Sequence, residues 1–236
     1  MMCAILQSNY IPWRGYFDLI NDVDLFVFYD EVKYTKSDWR NRNIIYTKDG
    51  LKWLTLSCGR DFKLKINEVK ISVDKNWQEE HYKNICDTYS GTPYFHKIVP
   101  FLEHVYIDSN WEYLSDLNQF IIRHIAREIL GINTTFANSM DYFSTGQKNE
   151  KLLSLIRSTG ATHYLSGPTA KDYLDETAFN NEGITVHWKD YSGYPSYRQT
   201  REPFEGGVSI IDLLANTGDD APYYIWGWRE DYKEEQ

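Results

Sequence analysis

Three features of the sequence predict an α/β fold with a mainly parallel, Rossmann-like sheet. Short apolar runs at Cys3–Leu6, Asp24–Tyr29, Thr134–Ala137, His163–Leu165 and Ile184–Trp188 have the length and composition of strands. Segments with helical spacing lie between several of them, at Gly15–Asn21, Glu150–Ser158 and Leu174–Asn180. The opening strand, short helix and second strand together take about thirty residues, the span of a βαβ unit.

The elements follow in order. Cys3–Leu6 is a buried strand, and a loop holding Asn9 and Pro12 leads into the helix Gly15–Asn21. Asp24–Tyr29 is a second strand that ends at Asp30. Asn43–Tyr46 and Leu51–Ser57 flank Thr47-Lys48-Asp49-Gly50, and Asp-Gly between two such runs signals an antiparallel hairpin. Glu68–Val73 is expected to add a strand. Trp77–Tyr89, Tyr94–Tyr106 and Trp111–Leu130 carry apolar residues three and four apart, so they read as helices, the last capped by Gly131. Gly160 likewise caps Glu150–Ser158. A loop rich in Gly, Pro, Tyr and Arg covers 190–207, and Ser209–Ala215 is a last amphipathic helix, ended by Asn216 and Gly218. The expected organisation is an α/β core over 1–75 and 132–220, a helical insertion over 76–131, and a C-terminal tail over 221–236 whose acidic end frays.

The 236 residues suit one such domain. Net charge is −9, so the chain will not track the phosphates of DNA. Residues 33–65 nevertheless hold nine basic and three acidic side chains, and a local excess of this kind can hold one small anion such as a pyrophosphate. The three cysteines are odd in number and widely spaced, which fits free thiols rather than a disulfide framework. The six histidines form no chelating pattern, so no metal ligands are expected. With no signal peptide and no apolar run of bilayer length, the cytoplasm is the expected location.

Three segments could carry chemistry. Gln7–Phe17 runs from a strand end to a helix start, where free N–H groups attract anions. Gln7, Asn9 and Tyr10 offer hydrogen-bonding groups, Trp13 and Tyr16 offer rings, and Gly15 permits close approach. Tight packing of the connection explains the same residues. In the second segment, Asp30 ends an expected central strand and is followed by Lys33 and by Trp39-Arg40-Asn41-Arg42-Asn43. Arg42 could hold a phosphate with its fork and Trp39 could stack on a ring, while alternation sends Arg40 and Arg42 to one side and Asn41 and Asn43 to the other. A solvated hairpin surface explains this run equally well. In the third, a strand meets Ser166-Gly167-Pro168 and a helix start, with Lys171 and Tyr173 beyond. Ser166 could cap that helix or bind a phosphate, and Gly-x-Ser-x-Gly is absent. Because Leu6, Asp30 and Leu165 each end an expected strand, parallel-sheet geometry predicts that the three segments converge on one pocket.

These segments, in this order, resemble the WbqC-like family. The stretch L-Q-S-N-Y-I-P-W-R-G-Y-F at Leu6–Phe17 is similar to the family's H-Q-P-N-Y-L-P-W-x-G-Y-F. Asp30 with Trp39–Asn43, Leu165–Leu174, and Ser209–Gly218 resemble its later stretches. Two positions depart: Leu6 and Ser8 stand where the family carries His and Pro. The resemblance implies surface-polysaccharide biosynthesis, and its opening strand–loop–helix looks like the first turn of nucleotidyltransferase folds.

What it implies about activity is an acyl or aminoacyl transferase, with glycine among the groups transferred. The acceptor would be the amine of a nucleotide-linked deoxyamino sugar, and the donor an activated acyl or aminoacyl compound. Asp30, Asn9 and Lys33 would be the catalytic groups, Asp30 as the base, because an amine must be neutral to attack. Gln7, Tyr10, Trp13, Tyr16, Trp39, Asn41, Arg42, Asn43, Ser166, Gly167, Lys171 and Tyr173 would bind substrate. No tightly bound cofactor is expected beyond Mg²⁺ carried by a nucleotide, and a homodimer is compatible with this reading. An ATP-dependent ligase or nucleotidyltransferase, and a non-catalytic carbohydrate-binding protein, are the alternatives.

Overall fold

Five of the apolar runs form one parallel sheet in the computed structural model, which describes residues 1–59, 63–72 and 76–230. Strand β1 (Met2–Leu6) is followed by helix α1 (Arg14–Asn21) and strand β2 (Leu25–Phe28). An antiparallel hairpin, β3 (Arg42–Thr47) and β4 (Gly50–Thr55), comes next. Helices α2 (Trp77–Tyr89), α3 (Phe95–Glu103) and α4 (Leu114–His124) follow, the last two running on into wide turns. Strand β5 (Thr135–Asn138), helix α5 (Asn149–Thr159), strand β6 (His163–Ser166), helix α6 (Glu176–Asn181), strand β7 (Thr185–Trp188) and helix α7 (Ile210–Thr217) complete the chain.

The sheet order is β5-β2-β1-β6-β7. β1 pairs with β2 on one side and β6 on the other, all parallel, so the order in which strands are added reverses between β1 and β6. In open parallel sheets that switch point leaves a crevice beyond the carboxyl ends of the strands.

Alternation along the strands sends side chains to two cores. Ala4, Phe26, Phe28 and Leu165 face α1, α7 and the helical segment, whereas Cys3, Ile5, Val27 and Tyr164 face α5 and α6. Phe26, Phe28 and Phe136 pack edge-on and stacked at 5.1–5.8 Å. Local signals end the helices where the sequence places them. Gly160 adopts φ 75° after α5, and Ser209 and Asp175 accept backbone N–H bonds at the starts of α7 and α6.

Two expectations differ. Over 68–72 no ladder strand forms; Ile66–Glu68 is a 3₁₀ turn, and Lys70 and Ile71 make single bridges to Tyr113 and Cys58. Ile66, Val69 and Ile71 are buried there, so apolar spacing reflected burial without pairing. Val73 lies outside the described residues, as do 231–236 of the expected frayed end. The segment expected to be a tail packs back over 221–229: Ala221 and Ile225 are fully buried, and Arg229 pairs with Asp18 and Asp22.

Candidate functional site

A cavity of about 800 Å³ occupies the switch point. Leu6 and Gln7 at the end of β1, and Ser166 and Gly167 at the end of β6, form its floor. Tyr29, Val32 and Lys33 follow β2, and Tyr173 closes another side. Gln147, Lys148, Asn149 and Lys151, where α5 begins, complete it. Lys33, Lys148 and Lys151 therefore line one cavity, and among the described residues no carboxylate lines it. Lys151 is paired at 3.0 Å with Glu31, which stands just behind. Helix α5 starts at Lys148, whose φ is 51°, and no side chain caps its first turn. Unpaired N–H groups at a helix start carry partial positive charge; here the Glu150 N–H is taken by the Gln147 carbonyl at 3.1 Å, and Glu150 adds a carboxylate to the first turn.

The carboxylate expected to be the base lies elsewhere. Asp30 is buried; its Oδ1 accepts the Ser8 N–H at 2.8 Å and its Oδ2 accepts Gln119 Nε2 at 2.9 Å. It borders a smaller cavity of about 240 Å³, with Asn67 and Gln119, not the lysine-lined one. Burial pushes its carboxyl above the usual range, against the pull of the Ser8 N–H, Gln119 and Arg40. Asp30 thus fixes the loop between β1 and α1 to the end of β2. Asparagine can keep both bonds if Gln119 turns its amide, so Asp30→Asn is expected to hold stability at pH 7 within about 1 kcal/mol. Asp30→Ala strands the Ser8 N–H and is expected to cost about 1–3 kcal/mol. The raised carboxyl also sets a sign. Its stabilising influence is complete below the unfolded carboxyl pKa and is lost as pH rises through the raised folded value. Asp30→Asn should therefore flatten the acid-side stability profile, which denaturant titrations from pH 4 to pH 7 would read. A profile unchanged from the parent would remove this assignment.

The other expected residues divide among four environments. Gln7, Lys33, Ser166, Gly167 and Tyr173 line the switch-point cavity. Asn9, Trp13, Trp39 and Asn43 line a separate cavity of about 400 Å³ with Pro12 and Gly207. Tyr10, Tyr16 and Asn41 are built into the fold. The Tyr10 hydroxyl, fully buried, meets His81 Nδ1 at 2.8 Å and the Tyr106 hydroxyl at 2.6 Å. Tyr16 donates to the Gln7 carbonyl at 2.9 Å, and Asn41 donates to the Leu56 carbonyl at 2.9 Å. Asn43 Nδ2 donates to the carbonyls of Tyr10 and Ile11, at 3.0 and 2.9 Å, and so supports Ile11 at φ 37°. A β-branched residue rarely adopts that backbone without such help. Arg42 stacks its guanidinium 4.1 Å from the Trp53 ring, and Lys171 lies 5.5 Å from the Trp188 ring. The single expected pocket is thus split: Gln7 faces one cavity and Asn9 another, while Asp30 grips Ser8 between them.

Sequence reasoning missed Gln147, Lys148, Asn149 and Lys151. Their signal was present, since a polar Gly146–Lys151 stretch precedes the helix that feeds β6. It also missed the buried Asp18. Asp18 Oδ2 meets Lys189 Nζ at 2.9 Å, and its carboxylate also takes Arg229 and the Tyr194 hydroxyl. Among the described residues no group of three or more His, Cys, Asp or Glu could hold a metal ion, and no helix is long and apolar enough to cross a membrane.

No solved structure matches the chain. An uncharacterized protein of Mycobacterium tuberculosis, Rv1507c, is 45% identical over 225 residues, covering 94% of this chain and 96% of that protein. The model of the WbqC-like protein family matches residues 7–224. That span holds Asp30, most of the residues lining the switch-point cavity and all of those lining the 400 Å³ one, and the chain belongs to the WbqC-like protein family.

Proposed function

We propose that the protein is a transferase whose switch-point cavity holds the phosphates of a nucleotide-linked deoxyamino sugar. An acyl or aminoacyl group, glycyl among them, passes to the sugar's amine. The observation that carries the reading is the cavity at the carboxyl ends of β1 and β6, with Lys33, Lys148 and Lys151 in its walls and no carboxylate. Three ammonium groups beside an uncapped helix start suit a pyrophosphate. The amine's attack on the acyl carbonyl develops an oxyanion, and the same cations stabilise it. Asp30 positions the loop and does not touch substrate. The proton lost by the attacking amine passes to the donor's leaving oxygen or sulfur. Surface-polysaccharide synthesis is the setting that the resemblance of the motifs supports.

A second reading has its own observation. The lysine-lined wall without a base suits phosphoryl or nucleotidyl transfer, where positioning and charge stabilisation carry most of the catalysis. Ligand-dependent unfolding tests the first. A UDP- or dTDP-linked amino sugar at about a hundred times its Kd should add about 2.7 kcal/mol, which raises Tm by roughly 5–10 °C. Stabilisation by none of these compounds would defeat the reading. Product formed from a pre-activated donor without ATP separates it from the second, which requires ATP.

A further inference from the structure

We infer that the separate cavity between the β1–α1 loop and the start of the hairpin is a binding site for a neutral hydroxylated ring, a pyranose. It stands whether or not the lysine-lined cavity holds phosphate. Its lining is unlike that cavity: two indoles, two amides, Pro12 and Gly207, with no ionisable side chain among the described residues. A charged ligand would find no partner there.

The two indoles are placed differently. Trp13 is held. A Cβ on Gly15 would come within 2.3 Å of its ring, so only glycine at that position leaves room for the indole. Tyr191 and Tyr194 close on it at 5.2 and 6.0 Å. This explains the Trp-x-Gly spacing of the opening motif: the glycine seats the indole. Trp39 is 43% exposed and leans on Trp53 at 5.5 Å, and the Arg42 guanidinium lies 4.1 Å from the Trp53 ring. An exposed indole at a cavity mouth, backed by a second ring and a guanidinium, is a ready stacking surface.

Polar chemistry narrows the occupant. Asn43 lines the cavity, but its amide is spent on Tyr10, Ile11 and Ile44. Asn9 lines it too, and the Asn9 Oδ1 is buried without a hydrogen-bond partner among the described residues. An unpaired buried amide oxygen costs free energy, which a ligand donor would recover. A hydroxyl suits it, since it can satisfy either end of an amide. A nucleobase presents several edge atoms, and one unspent amide cannot meet them. A pyranose lays its C–H face on an indole, gives one hydroxyl to Asn9, and leaves the others at the open mouth beside Trp39.

The test is saturation-transfer NMR on the intact chain with unphosphorylated methyl hexosides, 6-deoxyhexosides and N-acetylhexosamines, and with free nucleobases as a second panel. Saturable transfer from at least one pyranose is expected in the millimolar range. Trp39→Ala, with an unchanged denaturation midpoint, should weaken it about tenfold, a factor worth about 1.4 kcal/mol. Asn9→Ala should do the same, and Gly15→Ala should weaken it by displacing the Trp13 indole. No saturable pyranose, pyranose binding unaffected by Trp39→Ala, or saturation by nucleobases alone would each overturn the inference. Sugars without phosphate keep this test apart from the nucleotide titration, so each proposal can fail alone.

Discussion

Lys189→Met is expected to lower the unfolding free energy by about 3 kcal/mol, the lower end of the cost of breaking a buried ion pair. Asp18 on α1 is wholly buried, and Lys189, just past β7, is nearly so. The Lys189 ammonium also reaches Asp22 at 2.5 Å, so one cation ties the end of the sheet to Asp18 of α1 and to Asp22, which caps that helix. Removing it leaves Arg229 and the Tyr194 hydroxyl on Asp18, which keeps the loss from reaching the upper end. Burial pushes the Asp18 carboxyl up, and Lys189 is the largest influence pulling it back. Without Lys189 the folded pKa rises further. For a carboxyl with a raised folded pKa, the penalty is absent below the unfolded value and grows as pH climbs toward the folded one. The deficit of Lys189→Met should therefore be smaller at pH 4 than at pH 7. Asp18→Leu combined with Lys189→Met should recover part of it, because no uncompensated charge remains. Urea denaturation of the three variants at both pH values reads these terms. A single-variant loss below about 1 kcal/mol, the scale of an exposed pair, would place Lys189 among surface contacts.

That cluster also shows where reading the sequence stops. Lys189 and Arg229 lie 171 and 211 residues from Asp18, and no local pattern joins them. Local patterns did carry the elements. Apolar runs bounded by polar loops mark the strands β1, β2 and β6, Asp49-Gly50 marks the hairpin, and Gly131 and Gly160 mark helix ends through their positive φ. What failed was the step from three motifs to one pocket. Past β1 the groups of Gln7-Ser8-Asn9 go three ways. Gln7 faces the switch-point cavity, the Ser8 N–H is gripped by Asp30, and Asn9 faces the aromatic cavity. An acid at a strand end reads as catalytic in sequence, yet the same position lets it brace a neighbouring loop. Tyr10 misled for a related reason, since a tyrosine hydroxyl finds a buried partner as readily as a ligand. Leu6, where the family carries His, lines the lysine-walled cavity, so the departure noted in the motif changes a wall of the candidate site itself.

Removing the cavity lysines is expected to weaken nucleotide-sugar binding by unequal amounts. Lys33 and Lys148 are solvent-exposed, so each is screened, and Lys33→Ala or Lys148→Ala should cost about tenfold in Kd. Losing both should cost less than the product of the two, because they share one dianion. Lys151→Met should cost most. Its ammonium neutralises Glu31 at 3.0 Å, and its loss turns that carboxylate toward the phosphates with no cation between them. Lys151→Met with Glu31→Gln should then bind better than Lys151→Met alone, which a merely structural lysine would not predict. Raising the ionic strength should weaken binding to the parent chain and flatten in the Lys33→Ala Lys148→Ala variant. Isothermal titration with a UDP-linked amino sugar, at two salt concentrations, reads all of these. Affinity unchanged in the double alanine variant would make the lysines a solvated rim. A glutamine at Glu31 that fails to rescue Lys151→Met would remove the charge argument. The order of losses follows from one pairing, Lys151 holding Glu31 at 3.0 Å beside a cavity that Lys33 and Lys148 also line.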